Sequence, residues 1–137
     1  KNEDNGFVVK NSGNTAIGTE TPTERLHVNG NIFANSALTP DYVFEKYYGS
    51  NSITKPNYTF NSLEEVKSYV KANKHLPNVA SAPEIEQQGG IIVNKSTESN
   101  LEKIEELYLY FFEVKEKYNR LIKRLNKLQK LFEETQN

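Results

Sequence analysis

The sequence predicts an α+β protein built from three successive segments. Short apolar runs between Asn- and Gly-rich turns occupy residues 1–40, and a mixture of loops and short helical patterns occupies residues 41–96. Residues 97–137 carry a long heptad pattern that no Pro or Gly interrupts. We therefore predict a β segment, a small α/β middle module and a C-terminal coiled-coil helix, in that order.

Composition excludes several classes of function. The 137 residues include 17 Lys or Arg and 18 Asp or Glu, without the basic excess typical of nucleic-acid-binding proteins. No apolar run approaches the about 18 residues of a membrane span, so we predict no membrane insertion. The chain has no Cys, which excludes disulfides and thiolate metal sites, and its two His are too few for a convincing metal centre. We predict no cofactor and no enzymatic activity. Because the chain also has no Met, we expect it to be a piece of a longer protein.

Three apolar runs in the first segment predict short strands: Phe7-Val8-Val9, Ala16-Ile17 and Leu26-His27-Val28. Asn29-Gly30 then predicts a hairpin that leads into Ile32-Phe33-Ala34. Strands of three to five residues with so few apolar side chains can hardly bury a core, since even a two-stranded hairpin is marginal in water. The segment therefore needs partners, most simply other copies of itself.

The middle module contains two helix starts. Ser62 with Glu65, and Ser81 with Glu84, have the spacing of capping boxes, and the second helix is expected to end at Gly89-Gly90. Tyr42-Val43-Phe44 is a compact apolar patch, and Ile91-Ile92-Val93 is predicted to be a strand or a buried connector. A third capping-box pattern at Ser99-Asn100-Leu101-Glu102 predicts the start of the C-terminal helix.

An unbroken apolar stripe is the clearest feature of the C-terminal segment. Its spacings alternate between three and four residues over four heptads, which is the a/d pattern of a coiled coil. The large aromatic residues at a positions suit a three-helix core better than a two-helix seam, so we predict a parallel three-stranded coiled coil. The predicted trimer interface comprises Ile104, Leu107, Phe111, Val114, Tyr118, Leu121, Leu125, Leu128 and Phe132.

Further apolar residues flank the first half of this stripe, and we expect the middle module to cover them. They are Leu101, Tyr108, Leu109, Tyr110 and Phe112. Charge is also divided along the helix. Five Glu and one Lys lie between positions 98 and 113, whereas seven Lys or Arg and one Glu lie between positions 114 and 131. Parallel copies would place like charges side by side, whereas antiparallel copies would match opposite charges. The candidate g-to-e pairs, such as Lys103–Tyr108 and Lys117–Ile122, contain no opposite charges, so charge does not settle the register.

Several short sequence motifs resemble those of a known family. Residues 13–19 (GNTAIGT), Pro22 and residues 26–32 (LHVNGNI) are similar to the repeat GNVGIGTTxPxxKLxVNGxI of phage tail fibres and fibre-like surface proteins. Residues 38–44 (LTPDYVF), 74–77 (KHLP) and 101–107 (LEKIEEL) resemble the fibre ends of the Bacteroidota type. The resemblance covers residues 13 to about 125 and preserves the order of repeat, small module and heptad helix. The layout is also distantly similar to the endosialidase-type intramolecular chaperone domain.

The resemblance implies a homotrimer. In that family, strands of three chains wind together into a β-prism or triple β-helix. This agrees with the expectation that residues 1–40 of a single chain cannot form a hydrophobic core by themselves. It also implies that the rest of the fibre and the tail apparatus are partners. The location would be a virion tail fibre or the fibre of an extracellular injection apparatus. The leading prediction is a structural module at the end of the fibre, which drives trimerisation and chain registration and contributes to the host-facing tip.

Two alternative functions stay open from the sequence. Tyr47, Tyr48 and Tyr58 could form an aromatic platform for host attachment, by binding a cell-surface glycan or protein; burial as packing residues is the competing interpretation. Self-cleaving chaperones use a Ser followed by a Lys, and the nearest analogue here is Ser36 with Lys46. Thr39-Pro40-Asp41 stands where the family motif would be, so we predict that no autocleavage occurs.

Overall fold

The computed structural model describes residues 6–34 and 39–135. The chain divides into two compact units, Lys1–Asn35 and Ser36–Asn137. The described residues form a three-stranded sheet in the first unit and helices in the second, so the predicted α+β class with a long C-terminal helix is confirmed.

The sheet consists of β1 (Phe7–Val9), β2 (Thr15–Ile17) and β3 (Leu26–Val28), which match the three predicted apolar runs. β1 runs antiparallel to β2, and the turn between them is closed by the Lys10 N–H, which donates to the Asn14 carbonyl at 2.8 Å. Ala16 on the central strand is fully buried. Most other apolar side chains of the unit are exposed, and Phe7 is 70% accessible.

The predicted hairpin at Asn29-Gly30 is wrong. β3 pairs in parallel with β2, and residues 31–34 form no strand. The reason lies in Asn29, whose N–H continues the parallel ladder by donating to the Ile17 carbonyl at 2.9 Å. Its side-chain amide donates to the Gly18 carbonyl at 3.0 Å. With these groups bonded to the end of β2, Asn29 serves as the end of the ladder instead of as a hairpin turn.

The second unit contains α1 (Tyr42–Tyr47), α2 (Leu63–Asn73), α3 (Ala82–Gln88) and α4 (Val93–Thr135). Both predicted capping boxes are confirmed: the Ser62 and Ser81 hydroxyls accept from the backbone N–H three residues later, and the glutamates reach back to the serine N–H. α3 ends at Gln88 and is capped by Gly89, whose φ of +79° is the left-handed conformation that glycine adopts without strain.

α4 begins earlier than the sequence predicted. The helix starts at Val93 and spans 43 residues, so the capping-box pattern at Ser99 lies inside it. Ile91 and Ile92 form neither a strand nor a buried connector, because they are 60% and 47% exposed in the short link after α3. Gly89 and Gly90 turn the chain with φ values of +79° and +147°, and the new helix begins three residues after Gly90.

The core of the second unit is small and aromatic. Tyr42 and Val43 of α1, Tyr58 of the following loop and Leu109 of α4 are buried together. The rings of Tyr42 and Tyr58 lie 5.0 Å apart, centroid to centroid, at a tilted angle favourable for aromatic pairs. The apolar patch of the sequence is thus a short helix that packs against one face of α4.

Candidate oligomerisation interface

α4 presents two different faces. In the heptad notation used above, Glu102 and Leu109 occupy f positions and Glu106 a c position, on the side opposite the a/d stripe. All three side chains are buried by the middle module. We call this side the back face; the side that carries the nine stripe residues is the front face.

Three tyrosines of the middle module donate hydrogen bonds to three glutamates on the back face. The bonds measure 2.6, 2.7 and 3.1 Å between phenolic and carboxylate oxygens. Each joins an element of the sequence between positions 42 and 58 to α4, so together they fix the module along about three turns of the helix. The pairs are Tyr42 with Glu102, Tyr58 with Glu106, and Tyr47 with Glu113; we call them the Tyr–Glu ladder.

Two lysines neutralise the first two glutamates of this ladder, Glu102 and Glu106. The Lys55 ammonium lies 2.7 Å from the Glu102 carboxylate, donates to the Tyr42 oxygen at 2.9 Å and lies 4.6 Å from the centre of the Tyr42 ring. Lys103 bridges Glu102 and Glu106 at 2.9 and 2.8 Å. Buried carboxylates are tolerated only when they are paired and hydrogen-bonded, and these two satisfy that condition.

The surroundings change the pKa values of the ladder. Burial disfavours the ionised Glu102, but hydrogen bonds from Lys55, Tyr42, Lys103 and Asn78 outweigh burial and lower its pKa to about 2. For Tyr42 and Tyr58, burial and then the hydrogen-bonded carboxylate raise the pKa far above the ordinary value. The phenols therefore stay protonated and serve as donors, and Glu102 stays ionised and serves as an acceptor.

The front face is open along its whole length. Every one of the nine stripe residues is between 50% and 65% exposed in the single chain. Monomeric soluble proteins rarely expose a continuous apolar surface of this size, and such surfaces mark sites of association. The structure therefore brings the predicted interface residues onto one accessible face: Ile104, Leu107, Phe111, Val114, Tyr118, Leu121, Leu125, Leu128 and Phe132.

The middle module covers only part of the flanking apolar residues. Leu109 and Tyr110 are buried, as expected, but Leu101, Tyr108 and Phe112 are 37%, 57% and 45% exposed. The expectation that all five would be covered is wrong. Leu101 and Tyr108 are at e positions, on the edge of α4 away from the Tyr–Glu ladder, and Phe112 is at a b position near the end of the module.

The three tyrosines of the proposed glycan platform differ in exposure, and the rings of Tyr47 and Tyr48 lie in edge-to-face contact with centroids 5.0 Å apart. Tyr58 is buried and Tyr47 is half-buried, and both donate to α4 through their hydroxyls. Tyr48 is 70% exposed. Of the Ser36 and Lys46 pair, Lys46 is half-buried on α1, whereas Ser36 lies outside the described residues.

Sequence reasoning missed the ladder, although a signal for it is present. Glu98, Glu102, Glu106 and Glu113 are separated by four, four and seven residues, which places them on one side of a helix. We considered the acidic half of α4 only for its effect on how neighbouring helices align. A periodic acidic row preceded in the sequence by several tyrosines is also the pattern of a buried row of phenol–carboxylate bonds.

Other kinds of site find no support among the described residues. In positions 6–34 and 39–135, no group of three or more His, Asp or Glu is placed to hold a metal ion. None of the described helices is both long enough and apolar enough to cross a membrane. Comparisons of the chain with protein-family models, curated proteins and solved structures find no match.

Proposed function

We propose that this chain is an assembly module that forms a homotrimer through the front face of α4 and sets the alignment of the three chains. The observation that carries the proposal is the exposed apolar stripe, which continues for four heptads, whereas the module covers the opposite face of the helix only between Glu102 and Glu113. Burying each stripe side chain between helices would contribute about 1–2 kcal/mol, which makes association strongly favourable.

The β unit supports the same proposal. Its strands are three residues long, and Phe7, Val9 and Leu26 remain 60–70% exposed, so the sheet buries little of its own apolar surface. Aligning three such chains directly requires long-range contacts to form before any energy is gained. A helical trimer forms through local contacts and holds the three chains in register while the β units pair.

Parallel helices would bring the acidic halves of the three chains side by side, and burial of Glu102 and Glu106 reduces the repulsion that this arrangement would cause. Glu102 and Glu106 lie on the back face and are paired with Lys55 and Lys103, so parallel copies would not bring them together. In the basic half, each cation at an e or g position would meet an uncharged neighbour in a parallel trimer. These g-to-e pairs are Tyr110–Lys115, Lys117–Ile122 and Arg124–Gln129.

The resemblance to the ends of trimeric tail fibres supplies the setting. We infer that the module lies at the C-terminal end of a fibre of a phage or of a related injection apparatus. There it would join the rest of the fibre, act as the nucleus of its folding and contribute to the tip that meets the host. The short sequence motifs that carry this resemblance are found in both compact units. They include the turns of the sheet and the first half of α4.

Light scattering or native mass spectrometry at low micromolar concentration tests the proposal. The expected result is a trimer. The double substitution Leu121→Asp and Leu125→Asp should yield monomers, because every copy would bury two unpaired carboxylates in the seam and each costs several kcal/mol. The control is Lys123→Asp with Lys127→Asp, which introduces the same residue on the back face beyond the module and should remain trimeric. A monomeric natural chain would overturn the proposal, and a dimer would overturn its stoichiometry.

A further inference from the structure

A row of cations lies on α4 beyond the end of the middle module. Its members are separated by three, one, three and three residues, which places them on one side of a helix. In heptad notation they occupy c, f and g positions, so the row continues the back face and points away from the apolar stripe. All of them are exposed. We call this row the basic stripe; it comprises Arg120, Lys123, Arg124, Lys127 and Lys130.

Acidic residues do not neutralise the basic stripe. Six Lys or Arg and no Asp or Glu lie between positions 117 and 132. Glu116 stands four residues before Arg120, a spacing that allows an ion pair, yet the two are not paired. The ion pairs that α4 forms within the described ranges 6–34 and 39–135 lie in its first half, at Glu98, Glu102 and Glu106.

The stripe is unfavourable for the helix that carries it. Five pairs of like charges within the stripe are three or four residues apart, and such pairs destabilise a helix. The helix dipole does not account for them, because it favours cations in the last turn, and the last turn of α4 carries Glu133 and Glu134 instead. Residues that oppose the stability of their own element are expected at functional sites. The stripe therefore indicates a surface for an anionic partner.

The groups beside the stripe indicate which anionic partner fits. Asn119 and Asn126 flank it at b positions, and a shallow groove at its start is lined by Glu116, Asn119, Arg120 and Lys123. Amide side chains both donate to and accept from hydroxyl groups, and cations bind carboxylate and sulfate groups. Hydroxyl groups and repeated negative charges occur together in acidic polysaccharides.

Two other classes of polyanion fit less well. No aromatic residue lies between positions 119 and 131, whereas single-stranded nucleic acids are bound by stacking of their bases on aromatic rings. Amphipathic helices enter a lipid surface through an exposed apolar face, and the trimer proposed above buries that face of α4. The choice of polysaccharide over lipid therefore rests on the proposed trimer.

We propose that the basic stripe binds an acidic polysaccharide, whose carboxylate or sulfate groups pair with the cations and whose hydroxyl groups bond to Asn119 and Asn126. The stripe extends about 15 Å along the helix axis from Arg120 to Lys130, so a short run of sugar units can follow it. A trimer presents three such stripes around one coiled coil. One polymer chain can then engage more than one copy, which strengthens binding without any new contact.

Fluorescence anisotropy of labelled heparin and labelled polygalacturonate tests the site, with the full chain as titrant. Both should bind, and affinity should fall at least about tenfold between about 0.05 and about 0.3 M salt, because salt screens exposed charges. Lys123→Gln with Lys127→Gln should weaken binding at least about tenfold. The matched control is Lys67→Gln with Lys71→Gln, which removes two exposed lysines with the same spacing on α2 and should change affinity less than about twofold.

Thermal unfolding distinguishes a binding role of the stripe from a structural one. Gln and Lys have similar helix propensities, and the neutral residues relieve the repulsion within the stripe. The Lys123→Gln, Lys127→Gln variant should therefore melt at the temperature of the natural chain or above it, while it loses the polysaccharide. A lower melting temperature would show that the stripe supports the helix and would overturn the proposal.

The remaining comparisons separate the stripe from its alternatives. Neutral dextran should not bind. Tighter binding of duplex DNA or of anionic lipid vesicles than of either polysaccharide, at equal salt, would overturn the choice of partner. Equal loss of affinity in the two double variants would show that net charge alone attracts the polymer. A chain that is trimeric by light scattering but binds no polysaccharide disproves the site and leaves the proposed function standing, whereas a monomeric natural chain overturns the proposed function itself.

Discussion

The hydroxyl of Tyr42, on the short helix α1, donates to the carboxylate of Glu102, on the long helix α4, across 2.6 Å. Both side chains are almost completely buried, and sixty positions separate them in the sequence. The bond is charge-assisted and lies in a water-poor environment, where such bonds are stronger than neutral ones. This bond attaches the middle module to the back face of α4. The front face, on the other side of the helix, stays accessible.

Tyr42→Phe should destabilise the second unit by about 1–3 kcal/mol, because the buried Glu102 loses one of its donors while the ring packing is kept. The measurement is the midpoint of urea unfolding followed by circular dichroism at 222 nm. Tyr48→Phe is the control: that ring is 70% exposed, so its loss of a hydroxyl should leave the midpoint unchanged. Equal midpoints for the two variants would show that the bond contributes nothing.

Stability should fall as the pH drops from about 4.5 to about 2. Burial opposes ionisation of Glu102, but its donors prevail and lower the pKa from 4.5 to about 2. A depressed pKa contributes stability that is present above the unfolded-state value and is lost as pH falls through the folded-state value, here up to about 3 kcal/mol. Glu102→Gln should flatten this part of the curve of unfolding free energy against pH. Glu116→Gln, on the exposed helix surface, should leave the curve unchanged.

Truncation separates the two tasks of α4. A fragment ending at Asn100 should lose the folded middle module, because Glu102, Glu106 and Leu109 form the other half of its core. A fragment ending at Glu116 keeps these residues and should retain the near-ultraviolet dichroism of its buried tyrosines. It lacks more than half of the stripe and should be monomeric. A trimer with a native β signal from the fragment of residues 1–100 would show that α4 is an appendage.

Gly18→Ala should weaken the sheet more than Gly13→Ala does. Both glycines have positive φ, at +76° and +84°, so both substitutions strain the backbone by about 1 kcal/mol. A Cβ on Gly18 would also lie 2.8 Å from the backbone oxygen of Asn29, a residue whose N–H is bonded to the Ile17 carbonyl in the parallel ladder. A Cβ on Gly13 would meet the end of the flexible Arg25 side chain, which can move. Amide hydrogen exchange of residues 15–17 measures the difference, and equal exchange in both variants would contradict it.

Local signals in the sequence predicted much of the secondary structure. The two capping boxes at Ser62 and Ser81 depend on residues three positions apart, and the three strands follow from short apolar runs between turns. Asn29-Gly30 was misread because its conformation is decided by a bond to Gly18, which lies eleven residues earlier. The start of α4 was misplaced because a capping-box pattern is also compatible with the interior of a helix.

The sequence by itself determined the stripe of α4, because helical periodicity puts residues three and four apart on one side whatever the rest of the chain does. Only the tertiary structure decided what occupies the other side. Tyr42, Tyr47 and Tyr58 reach glutamates that lie 48–66 residues away, and no local rule specifies such pairs. They depend on how loops close and on which carboxylates become buried, and these are properties of the folded chain as a whole.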